Sequence, residues 1–168
     1  SQAADVRVMM DAAVRHFGRI DILVNNAGVT HLPQALEDVG EADFDRIVAV
    51  NMKAIYLAMR EVVPRMKAQP VGKQGIRGVI LNMASTAGVS PRPRLTWYNA
   101  SKGWVITATR ANAVELAPQG IRVVALNPVA GETPLLKSFM GQDTPETRAK
   151  FLASIPIGRF STPEDLAN

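Results

Sequence analysis

The chain of 168 residues contains no cysteine, which excludes disulfides, thiolate nucleophiles and thiolate metal ligands. Its two histidines, His16 and His31, stand apart and form no ligand cluster, so no metal site is expected. Aromatic residues make up only 5% of the chain. The formal net charge is +4 and the pI near 9.8, but the basic residues are dispersed. The densest basic stretch, 67–77, is interrupted by Pro70, Gly72 and Gly75 and reads as a solvated loop, so nucleic-acid binding is not expected. No apolar run approaches the roughly 18 residues of a membrane span, and no basic-then-apolar leader opens the sequence. The expectation is a cytoplasmic protein with no membrane partner. With 47% hydrophobic and 20% charged residues, what remains is one globular domain or a large piece of one.

The apolar pattern alternates between two periods. Val6, Met9, Met10, Ala13, Val14 and Phe17 fall at helical spacing over residues 4–17, and Gly18 closes that helix. Residues 20–25 form a short continuous apolar run, as expected of a strand buried on both faces of a parallel sheet. A long helix is predicted over 42–67, with Pro64 bending its last turn. Residues 78–83 read as a second buried strand, and residues 97–116 as a helix with Thr96 as its cap. Pro118-Gln119-Gly120 ends that helix, and residues 121–126 make a third strand. A mixed segment with short helical stretches follows, and Thr162-Pro163 opens a last helix. Strands alternating with helices predict an α/β fold, a doubly wound parallel sheet with right-handed crossovers. Three strands alone leave residues 22–25 as an open apolar edge, against which something should lie.

The residues that carry chemistry are ordered along this pattern. Tyr98 and Lys102 lie four apart on one helix, which places a phenol and an ammonium on the same face. A neighbouring cation favours the phenolate, so the spacing predicts a lowered Tyr98 pKa and a proton donor or base suited to neutral pH. Ser85 follows the second strand, where open α/β sheets place their ligands, and its hydroxyl can donate to a substrate oxygen; Thr86 stands beside it. Asn51 is a weak helix former in mid-helix and needs a reason to be there. Asn25-Asn26-Ala27-Gly28 ends the first strand in short residues that let backbone approach a ligand. After the third strand comes Asn127-Pro128-Val129-Ala130-Gly131-Glu132-Thr133.

In this order and spacing the motifs resemble the classical short-chain dehydrogenase/reductase family, including its 3-oxoacyl-[acyl-carrier-protein] reductases and glucose dehydrogenases. The resemblance implies a Rossmann-type fold represented by its central and later βα units, and NAD or NADP as cofactor. It implies that Tyr98 exchanges the proton with a carbonyl or alcohol substrate, and that Lys102 lowers the Tyr98 pKa and binds the nicotinamide ribose. Ser85 would hold the substrate oxygen, while Asn51 would bend its helix and hold a relay water. Asn25, Asn26, Ala27 and Gly28 would steady the sheet and meet the cofactor's adenosine part. Pro128, Val129 and Gly131 match the nicotinamide clamp, Thr133 its carboxamide contact. Val129 replaces the family's usual Gly there.

The family's Gly-rich turn of the Thr-Gly-x-x-x-Gly-x-Gly type is missing, and the chain stops shortly after Pro163-Glu164-Asp165-Leu166-Ala167. Residues 1–168 are therefore expected to be part of a longer domain, inactive alone. The leading expectation is an NAD(P)-dependent oxidoreductase that interconverts a ketone or aldehyde with an alcohol by hydride transfer, as a 3-oxoacyl reductase does, with a sugar or polyol dehydrogenase of the same family as an alternative. A catalytically idle scaffold piece is the competing class, opposed by the intact set Asn51, Ser85, Tyr98 and Lys102. The family also implies a homodimer or homotetramer built on helices 42–67 and 97–116. Specificity is expected at residues 91–96 and 135–160, where Leu135, Leu136, Phe139 and Met140 suggest an apolar wall or lid.

Overall fold

The computed structural model describes residues 2–72 and 74–168. Helix α1 (Ala3–Phe17) ends at Gly18, whose φ of 79° lets its N–H return to the Val14 carbonyl. Strand β1 (Ile22–Asn25) follows, then α2 (Glu41–Ile47), a π-helical turn (Val48–Lys53) and α3 (Ala54–Ala68), which continues past Pro64. Strand β2 (Gly78–Met83), helix α4 (Thr96–Leu116) and strand β3 (Ile121–Leu126) complete the sheet region. Three short helices follow: α5 (Pro134–Met140), α6 (Pro145–Leu152) and α7 (Pro163–Ala167). Among the described residues no helix is long and apolar enough to cross a membrane.

The three strands are parallel in the order β1-β2-β3, as the alternation of strands and helices predicts. Leu23, Ile80 and Val123 stand in register on one face, and Ile22, Val79 and Arg122 on the other. The first face meets Met10 of α1, Ile55, Val62 and Met66 of α3, and Val105 and Leu116 of α4 in one core. The other face is only partly covered. Ile22 is 65% and Val24 49% exposed, which corrects the expectation that this strand is buried on both faces. Its composition is that of a two-sided buried strand, but β1 is an edge with helices packed on a single side.

Two boundaries also differ from the sequence pattern. Leu95, not Thr96, is the residue at which α4 begins, and no side chain caps it. Thr162 does cap α7, in a reciprocal box with Asp165. The long helix is interrupted at Asn51, where the Ala54 N–H reaches back five residues to the Ala49 carbonyl. Such one-turn π segments carry one residue more than an α-turn and recur at functional sites.

Candidate active site

The carboxyl ends of β2 and β3, the loop after β1 and the start of α4 enclose a cavity of about 410 Å³. The loop residues Asn26, Ala27 and Gly28 form part of its wall, with Ser85, Tyr98 and Lys102 and with Pro128, Val129, Gly131 and Thr133 lining the rest. Ten of the sequence-selected residues thus converge. Asn25 and Asn51 do not line the space. The Asn25 side-chain amide donates to Asn82 Oδ1 at 2.8 Å, and Asn82 donates on to Thr109 Oγ1 at 2.9 Å, so Asn25 ties the sheet to α4. Asn51 sits one layer behind the wall, holding Val29.

Ser85 ends the extended chain after β2 and turns it sharply, its hydroxyl accepting the Ala87 N–H at 3.1 Å. Thr86 faces away and donates to the Pro128 carbonyl at 3.3 Å. Between Ser85 and α4 the backbones pack closely. A Cβ on Gly88 would lie 2.6 Å from the Lys102 carbonyl carbon and 2.7 Å from the Gly103 nitrogen, so only glycine allows this approach.

Tyr98 and Lys102 are both 5% exposed. Burial raises the Tyr98 phenol above its ordinary value, and the Ser85 hydroxyl, hydrogen-bonded to it, works in the opposite direction. The spacing of the two residues predicts a lowered phenol; the structure reverses that sign. Burial is the reason, and the ammonium is engaged by a backbone carbonyl. Lys102 Nζ donates to the Met83 carbonyl at 2.7 Å and lies over the phenol ring, 5.8 Å from its centroid. Burial lowers Lys102 itself to about 8.

The loop after β1 lies directly against Lys102. A Cβ on Gly28 would stand 3.4 Å from Lys102 Nζ and 3.7 Å from Asn51 Oδ1, filling the space between loop and ammonium. Val129, in place of the family's usual Gly, causes no backbone strain, since among the described residues Arg94 is the one non-glycine with positive φ. Thr133 is exposed at the start of α5, and its side chain does not cap that helix.

The sequence pattern did not single out Met83, Ala84 or Leu166, which also line the cavity. Phe139 of α5, read from sequence as part of a lid, packs on Tyr98 with ring centroids 4.9 Å apart. No sequence signal marks Leu166, which the chain brings in from α7.

A family model described as enoyl-(acyl carrier protein) reductase matches residues 1–168. The 4-formylbenzenesulfonate dehydrogenase of Comamonas testosteroni is 44% identical over 169 residues, matching 100% of this chain and 65% of its own length. The 3-oxoacyl-[acyl-carrier-protein] reductase of Thermotoga maritima is 39% identical, over 96% of this chain and 61% of its own. A crystal structure of 3-ketoacyl-(acyl-carrier-protein) reductase from Brucella melitensis, complexed with NADH, superposes with a TM-score of 0.89. It is 53% identical, over 99% of this chain and 64% of that one. The chain spans just under two thirds of the length of these relatives. Family model, relatives and sheet topology agree that the chain belongs to the classical short-chain dehydrogenase/reductase family.

Proposed function

We propose that this chain carries the proton-transfer half of an NAD(P)-dependent oxidoreductase that interconverts a ketone or aldehyde with an alcohol, as a 3-oxoacyl reductase does. The observation that carries the reading is the convergence of Ser85, Tyr98 and Lys102 on one cavity, with Gly28 against the Lys102 ammonium. Tyr98 gives its phenolic proton to the carbonyl oxygen in reduction and takes it back in oxidation. Ser85 donates a hydrogen bond to the same oxygen and orients it. Lys102, held by the Met83 carbonyl, keeps a positive charge beside the phenol as the proton leaves. Gly28, Lys102, Pro128, Val129, Gly131 and Thr133 would hold the nicotinamide end of NAD or NADP, with Asn26 and Ala27 toward the adenosine side. That cofactor, when bound, supplies the hydride. Phe139 closes the cavity over Tyr98 and keeps water from it.

The domain reading follows from the same features. Residues 1–168 form a partial Rossmann-type domain, and the uncovered face of β1 is where the rest of a longer polypeptide packs. The 168-residue piece alone is inactive, because the turn that holds the pyrophosphate in this fold type is not among its residues. A second copy packs on the groove lined by Tyr56, Met59, Val63, Trp104, Ala108 and Ala111 of α3 and α4, giving a homodimer or homotetramer in the cytoplasm.

The test is reduction of small ketones and aldehydes by the longer polypeptide that contains this chain, followed through the absorbance of NADH or NADPH. Tyr98→Phe should lose at least about a hundredfold in kcat. Wild-type protein that quenches neither Trp97 nor Trp104 fluorescence with reduced cofactor, and turns over no carbonyl, would favour the scaffold reading.

A further inference from the structure

The hydroxyl of Ser101 joins the start of α4 to Asn51 of the π-helical turn. Ser101 is 2% exposed, three residues after Tyr98 and one before Lys102. Its Oγ donates to the Tyr98 carbonyl at 2.7 Å and accepts Asn51 Nδ2 at 2.9 Å. The same Asn51 amide grips Val29 from both sides: Nδ2 donates to the Val29 carbonyl, and the Val29 N–H donates to Oδ1, each at 2.9 Å. Val29 follows Gly28, which lies against Lys102: a Cβ there would stand 3.4 Å from Nζ.

The donor count leaves no slack. An amide NH₂ has two hydrogens, and Asn51 places one on Val29 and one on Ser101. Because Ser101 spends its own proton on Tyr98, it is left to accept from Asn51. A serine inside a helix that bonds its own preceding turn gains nothing for the helix, and alanine would form it better. Its hydroxyl has a use only because it receives Asn51.

We propose that Ser101 is a positioning residue, whose hydroxyl sets the distance between the Tyr98–Lys102 turn of α4 and the Gly28–Val29 backbone. The catalytic consequence rests on the oxidoreductase reading above; the mechanical link between α4 and Val29 does not. Ser101 does not itself line the cavity, and its hydroxyl is bonded to Tyr98 and Asn51 rather than to Val29, so an effect of that hydroxyl on Val29 must travel through Asn51.

Amide hydrogen exchange in the 168-residue chain tests the link without any turnover. In Ser101→Ala the Val29 N–H should exchange about tenfold faster relative to the β2 amides, with Ser101→Thr restoring protection. Ser101→Cys, close to serine in size and weak as a hydrogen-bond partner, gives the same answer should the alanine variant fail to fold. Unchanged Val29 exchange, or equal acceleration of every amide, overturns the proposal. In the longer polypeptide Ser101→Ala should lower kcat about tenfold with KM for the carbonyl substrate within about twofold. Faster Val29 exchange with an unchanged kcat would also overturn it. Faster Val29 exchange in Ser101→Ala, together with a wild-type longer polypeptide that turns over no carbonyl, would support the link and remove the oxidoreductase reading instead.

Discussion

Lys102 is a buried cation whose stability cost can be read from pH. Burial lowers its pKa from 10.5 to about 8, and at about 1.4 kcal/mol per unit this amounts to about 3 kcal/mol against the folded state at neutral pH. A depressed folded-state pKa gives stability that is present above 10.5 and lost as pH falls through 8, so the chain should become more stable on going from neutral to alkaline pH. Between pH values of about 7.5 and 9.5 this group's share is about 2 kcal/mol. The 2.7 Å bond to the Met83 carbonyl favours the charged form and makes that figure an upper limit. The measurement is urea unfolding of wild type and Lys102→Met over this range, since the difference between them cancels the other titrations. The gap between the two curves should narrow as pH rises if the methionine is the more stable at neutral pH, or widen in favour of wild type if it is not. Parallel curves would refute the argument, because they would mean that Lys102 titrates as a solvated lysine despite being 5% exposed.

Three further outcomes follow from the same geometry. The phenolate absorbance lost in Tyr98→Phe should titrate with a midpoint above 10.0, and Ser85→Ala should raise it further by removing the hydrogen bond that opposes burial; a midpoint below 10.0 would contradict this. Gly88→Ala puts a methyl into the α4 backbone and should cost about 3 kcal/mol in chemical denaturation, where a loss under about 0.5 kcal/mol would show that the loop moves aside freely. Gln69 holds Ile20 through both its N–H and its carbonyl and also donates to the Arg77 carbonyl; Gln69→Leu should therefore destabilise by about 3 kcal/mol, and a neutral result would mean that water replaces all three bonds.

The elements that could be read from sequence are those whose burial is one-sided and whose ends are punctuated. Ile121–Leu126 lies between Gly120, at φ 70°, and Asn127-Pro128, and its bounds match the apolar run. Gly18 and Thr162 close and open their helices as their chemistry dictates. Asn51 was legible as an anomaly but not as a π turn, because an extra backbone residue changes the hydrogen-bond pattern without changing the composition. Thr96 has a capping side chain, yet Leu95 takes the boundary: helix starts depend on backbone direction as well as on residue type. The site was legible as a set of residues converging on one cavity. Its electrostatics were not, since spacing along a helix gives adjacency but says nothing of burial, which raises Tyr98, or of the Met83 carbonyl, which takes the Lys102 ammonium. Ser101 escaped notice for a related reason: a small polar residue on a helix gains meaning only when its partner arrives from another element.

The π turn also makes part of this fold resistant to deletion. Removing one residue from Val48–Lys53 would let the segment close as a regular α-helix, because the π turn already holds one residue more than an α-turn, and would leave Glu41–Ile47 in nearly the same phase relative to α3. Phe44 would keep its place against Trp97, on which it stacks edge-on at 5.4 Å, and Arg46 the Thr30 carbonyl that it holds at 3.1 Å. Both contacts brace the segments flanking the cavity. A single-codon loss here would therefore leave the flanking helices in place and remove only the wide turn at Asn51, whereas the same loss from the regular part of α3 would shift the phase of a whole helix.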